Sequence, residues 1–190
     1  MMLSLLQGFT LGEEYIPYGT EVSQYQLEHQ SGEPVTVQEE LAFTRSLAIL
    51  LEVCFPRKLT INLPAKVSDP HYLMLPFTLE ALVEAAFQPN PMDDAEPLVM
   101  DVILSTGETQ GTEGGSTACL LTEGPALTVL LSHLGASGPQ VFFTGDDKQG
   151  GVAGLQQRYA GFTSRPLTIN YEAHRVIIQV PLLSSEFRYL

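Results

Sequence analysis

Carboxylates set on one helical face are the first candidates for chemistry in this chain of 190 residues. In the stretch LPFTLEALVEAAFQP, Leu75 to Pro89, the residues Leu79, Leu82, Val83, Ala86 and Phe87 recur at the 3, 4, 7, 8 spacing of one apolar helical face. The opposite face carries Glu80, Glu84 and Gln88, with Ala81 and Ala85 between them. Carboxylates beside alanines put acid, base or cation-ligand groups where small neighbours leave room for a ligand, as on the floor of a cleft. The commoner meaning of the same pattern is a solvated helix face that happens to hold two alanines. Pro76 suits the first turn of the helix, where its missing N–H costs nothing, and Pro89 stops it.

Other chemistry-bearing residues are scattered. His71, His133 and His174 include no pair at helical metal-ligand spacing. The loop pairs Asp93-Asp94 and Asp146-Asp147 lack the Asp-x-Asp-x-Asp-Gly pattern of a calcium loop and read as solvated turns. There is no Gly-x-Ser-x-Gly elbow and no Walker loop, which removes two enzyme classes. Cys54 and Cys119 are too few and too isolated for a disulfide framework or a zinc site, and Cys54 lies in an apolar run as a core thiol would.

Composition narrows the partners. A net charge of −13 with nine Lys and Arg argues against nucleic acid and against anionic membrane surfaces. A hydrophobic content of 44% and a mean hydropathy of +0.10 describe a folded globular chain. No apolar run is long enough to span a bilayer, and MMLSLLQGF is too short and lacks the basic start of a signal peptide. The expected location is the cytoplasm.

The elements that must position the central helix follow from local signals. Residues 1–32 are expected as a helical appendage or dimerisation remnant, with TEVSQYQLEHQ (Thr20 to Gln30) as a short helix whose Val22, Tyr25 and Leu27 seek a partner. Leu3, Leu5, Leu6 and Phe9 add to that apolar cluster, so residues 1–30 are expected to make homodimer or partner contacts. The main domain is expected over 33–190. Thr36 followed by Glu39 is a capping box that opens a helix ending at Phe55. Leu47, Leu50, Leu51 and Cys54 share one face of it, extended by Phe43. RKLTINL, LVMDVIL, TACLLT and ALTVLLSHLG read as strands, with SGPQVFF as another short piece and Ser105 to Ser116 as a polar, glycine-rich connection. Gly154 to Ala160 reads as a short helix. RPLTINYEAHRVIIQVPL closes the chain as a hairpin, with Leu167, Ile169 and Tyr171 opposite Val176, Ile178 and Val180. This order predicts an α+β fold, a two-layer α/β sandwich with helices on one face of a mixed, mostly antiparallel sheet.

As an ordered set, VTVQEELAFTRSLAILLEVCFPRKLTINLP, LPFTLEALVEAAFQ, GGVAGLQQRY and LTINYEAHRVIIQVPL resemble the catalytic region of LytS-type sensor histidine kinases, within the GHKL (Bergerat) ATPase fold. The likeness runs from Glu33 to Leu183. It implies an ATP cleft with magnesium, and the chain departs from the family pattern at several of its ligand positions, although Glu84 is kept. Where the family has L-V-E-N-A, whose Asn helps hold Mg²⁺, this chain has Leu82, Val83, Glu84, Ala85 and Ala86, so Ala85 stands at the ligand position. Where an Asp of D-N-G reads adenine, the strand ends Leu131-Ser132-His133-Leu134-Gly135, placing His133 or a neighbour there. Gly154-Leu155 matches the G-L of the lid, but the first lid glycine is displaced to Gly151 and the lid helix reads about a turn short. The first histidine, His29, has no phospho-acceptor context.

The resemblance therefore implies a degenerate histidine kinase-like domain acting as a non-catalytic signalling or interaction module, with no cofactor. Its vestigial cleft positions are Glu80, Glu84, Ala85, His133, Gly135, Gly151, Gly154 and Leu155, with no metal. The expected partners are a second copy, a response regulator or a kinase. The alternative is a divergent but active sensor kinase or ATPase domain that uses ATP and magnesium.

Overall fold

The computed structural model describes residues 12–55, 59–67, 69–87, 97–105, 124–132, 151–172 and 175–184. Among them, four α-helices and seven strands follow a short 3-10 turn at Glu13–Tyr15. The helices are α1 (Ile16–Glu28), α2 (Val37–Cys54), α3 (Thr78–Phe87) and α4 (Gly151–Ala160). The strands are β1 (Val35–Thr36), β2 (Leu59–Asn62), β3 (Leu73–Met74), β4 (Leu98–Ser105), β5 (Ala126–Ser132), β6 (Thr168–Tyr171) and β7 (Arg175–Pro181). The expected strands TACLLT and SGPQVFF lie outside the described residues.

Five strands form one mixed sheet in the order β2-β4-β5-β7-β6, parallel only between β2 and β4, and β1 pairs with β3 in a small antiparallel ribbon. Register sorts the side chains by face. Met100, Val102 and Leu104 of β4 stand level with Leu131, Val129 and Leu127 of β5 and Val176, Ile178 and Val180 of β7, and all but the half-buried Leu104 are buried. They share one core with the buried residues of all four helices. The architecture is α+β, and the alternation read in LVMDVIL and in the terminal hairpin places these faces correctly, with Ile169 opposite Ile178 and Tyr171 opposite Val176.

The helix starts differ from expectation in two places. α2 begins as read: the Thr36 hydroxyl accepts the Glu39 N–H at 3.1 Å, and the Glu39 carboxylate accepts the Thr36 N–H at 2.8 Å. α3 begins at Thr78, so Pro76 precedes the helix and does not occupy its first turn. α4 begins at Gly151, three residues before the expected Gly154, which restores the turn the sequence seemed to lack. Gly32, with a φ of 74°, reverses the chain between α1 and β1, and its N–H is donated to the His29 carbonyl at 3.1 Å.

Within residues 1–32, helix α1 is docked on α2. Val22 and Tyr25 of α1 are buried against α2, and the Ser46 hydroxyl of α2 reaches the Glu21 carboxylate at 2.5 Å. α2 supplies the apolar face that covers Val22 and Tyr25 within the chain. Leu27 remains 71% exposed. Leu3, Leu5, Leu6 and Phe9 lie outside the described residues. No helix among the described residues is long and apolar enough to cross a membrane.

Candidate functional site

Three helices converge on the residues that lead into α3. Phe77 has a φ of 62°, in the left-handed region that a bulky side chain adopts only when its surroundings hold it. What holds it begins with Glu40, one residue past the capping box of α2. Glu39 reaches back to the cap while Glu40 shares a face with Phe43, Thr44 and Leu47, at the 3, 4, 7 spacing, and is fully buried.

The Glu40 carboxylate ends among three donors. Its Oε2 accepts the Tyr25 hydroxyl at 2.7 Å and the Phe77 N–H at 3.0 Å, and its Oε1 accepts the Leu79 N–H at 2.9 Å. The first N–H groups of any helix have no intrahelical acceptor, and negative charge there also meets the positive end of the helix dipole. Glu40 thus caps α3 from another helix. The Phe77 ring sits edge-on to Tyr25 at 5.6 Å and to Phe43 at 5.9 Å, while Tyr25 stacks on Phe43 at 4.4 Å.

α4 closes the other side. Tyr159 is fully buried, and its hydroxyl accepts the Leu75 N–H at 3.2 Å. The Thr78 hydroxyl donates to the Leu75 carbonyl at 2.6 Å, so at the 3.1 Å contact between the two hydroxyls Tyr159 is the donor and Thr78 the acceptor. Arg158 donates to the Pro76 carbonyl at 3.1 Å. The backbone at Leu75, Pro76, Phe77 and Leu79 is therefore tied to side chains of α2, of α4 and of Thr78.

Burial pushes the Glu40 carboxyl up to about 7; the bonds from Tyr25, Leu79 and Phe77 pull the other way, and the Glu80 carboxylate adds to the rise. Burial likewise raises the Tyr25 and Tyr159 hydroxyls well above the ordinary tyrosine value, so both stay protonated as donors. The cluster can hold or release one proton near neutral pH and fix the start of α3. With Glu40 fully buried, no substrate reaches the carboxylate, and its role is positioning.

The cleft positions read from the sequence divide. Glu80 is 6% exposed and close enough to disfavour a charged Glu40. Glu84 and Ala85 are half-buried further along α3. Leu155 is 2% exposed and belongs to the core, Gly154 is half-buried beside it, and Gly151 opens α4. α3 and α4 pack together, so Tyr159 joins the two segments that the sequence reading had set in one cleft. His133 and Gly135 lie outside the described residues. Among the described residues no group of three or more His, Cys, Asp or Glu side chains is arranged to hold a metal ion.

Sequence reasoning missed Glu40, Tyr25 and Tyr159. The available signal was phase: Glu40 stands on the buried stripe of an amphipathic helix, where a lone carboxylate needs donors from elsewhere. No family model matches the chain, and no curated protein matches its sequence.

Proposed function

We propose that the chain is a degenerate histidine kinase-like domain of the GHKL type that serves two-component signalling as a non-catalytic interaction module. The observation that carries this reading is Ala85. It is half-buried on the helix whose N-terminus Glu40 and Tyr159 clamp, at the position where the resemblance implies an amide ligand for magnesium. A methyl group offers no oxygen, and Mg²⁺ demands near-octahedral oxygen coordination.

The donor set does not fit a magnesium–nucleotide. Glu84 is one carboxylate beside Ala85, and Leu155 of the lid-like segment spends its side chain in the core. The elements on which the resemblance rests, the capping box, the central helix, α4 and the terminal hairpin, are all formed, and this supports the reading. A chain selected for its surfaces would keep these and lose the ligands. Its partners would then be a second copy, a response regulator or a kinase.

Calorimetric titration with a non-hydrolysable ATP analogue and Mg²⁺ tests the reading. The expected result is no binding below about millimolar concentration, since a lost charged partner and a lost metal ligand each weaken affinity by about tenfold or more. Low-micromolar binding would overturn it and favour a divergent, active ATPase domain.

A further inference from the structure

α2 carries two stripes. Leu47, Leu50, Leu51 and Cys54 face the core, whereas Arg45, Ala48, Ile49 and Glu52, again at i, i+3, i+4 and i+7, face the edge strand β2. Between that second stripe and Leu59, Thr60, Ile61 and Leu63 lies an open groove of 360 Å³.

β2 is the end strand of the five-stranded sheet, and among the described residues no strand pairs with its outer side. Alternate residues of a strand turn both N–H and C=O to the same side, so the outer side of β2 carries backbone groups that no strand among the described residues pairs. Proteins usually blunt such an edge with a lysine, a proline or a bulge. Leu59–Asn62, LTIN, has neither residue, and its register with β4 is regular.

Charge within the groove is uneven. Arg45 donates to the Pro64 carbonyl at 2.6 Å, which ties its guanidinium at the exit of β2. Glu52 lies two helical turns further along α2, towards the start of β2, and is exposed. The groove thus offers a backbone edge, an aliphatic wall of Ala48, Ile49 and Ile61, and a charge at each end, the Arg45 guanidinium held on the Pro64 carbonyl and the exposed Glu52 carboxylate, within a chain of net charge −13.

We propose that this groove docks an extended, basic peptide segment of a partner protein by strand addition to β2, with a Lys or Arg of the peptide against Glu52. Main-chain bonds to β2 supply affinity, alternate apolar side chains enter the groove, and the cation at Glu52 sets the register. The long-range field of the acidic chain favours a basic partner over a second copy of itself. The inference rests on the reading of the chain as an interaction module and names one of its surfaces.

Fluorescence anisotropy with the labelled heptapeptides TKTVTVT and TVTVTKT, which cover both strand directions, tests it. One of them should bind saturably. Exchanging its Lys for Glu, or Glu52→Lys in the protein, should weaken binding about fivefold or more, while Glu13→Lys, with the same change in net charge, should have little effect. N-methylation of alternate peptide amides in one of the two phases should abolish binding, because it blocks the ladder.

No saturable binding, equal weakening by Glu13→Lys, or indifference to N-methylation in both phases would each overturn the proposal. So would a dimer in sedimentation that Glu52→Lys dissolves, since a second copy would then occupy the edge. None of these outcomes bears on the nucleotide titration, so the two readings fail separately.

Discussion

The Glu40 carboxylate accepts the Leu79 N–H at 2.9 Å across 39 residues of sequence, so the first turn of α3 is capped by α2. The same carboxylate holds the Phe77 N–H and the Tyr25 hydroxyl, which joins three helices at one fully buried group.

That group makes stability depend on pH. The Glu40 carboxyl is pushed up to about 7, above the usual carboxylate value, so the folded chain binds this proton more tightly than the unfolded chain does. The resulting contribution is complete below the unfolded carboxyl range and is lost as pH rises through about 7. Urea unfolding followed across that window should show a decline on the order of 3 kcal/mol that Glu40→Gln flattens. An equal slope in the variant would assign the decline to other groups.

Glu40→Ala should be far more damaging than Glu40→Gln. Alanine leaves the Phe77 and Leu79 N–H groups and the Tyr25 hydroxyl without their acceptor, at a cost of about 3 kcal/mol or more. Glutamine keeps an acceptor oxygen. Thermal unfolding orders the two variants, and amide exchange at Leu79 should speed up in the alanine variant first.

Tyr159→Phe keeps the packing of α4 on α3 and removes one hydroxyl. The Leu75 N–H then loses its acceptor and Thr78 loses a donor, which should cost about 1–2 kcal/mol. Denaturant midpoints measure this, and an unchanged midpoint would mean the hydroxyl pair contributes nothing net.

Thr36→Ala tests the cap of α2 by itself. Loss of the hydroxyl that accepts the Glu39 N–H should cost about 1 kcal/mol. Because that first turn also carries Glu40, the variant should further lower exchange protection at Leu79, a distant readout that a purely local cap would leave unmoved.

Local signals in the sequence determined the elements whose causes lie within a few residues. The Thr36–Glu39 capping box, the alternation Leu98, Met100, Val102, Leu104, and the hairpin of Leu167 to Val180 each follow from periodicity or from a cap that closes inside one turn. Around the clamp, the sequence made legible the helices α3 and α4 themselves, through a helical face and a glycine spacing, and not the side chains that join them. The start of α3 was not legible, because its acceptor is a carboxylate 39 residues upstream that replaces a cap near Pro76. Tyr159, 84 residues beyond Leu75, and Leu155, drawn from a lid-like motif into the core, were decided in the same way. Those contacts depend on how α1, α2 and α4 pack around one point, and spacing within any single segment carries no record of that packing.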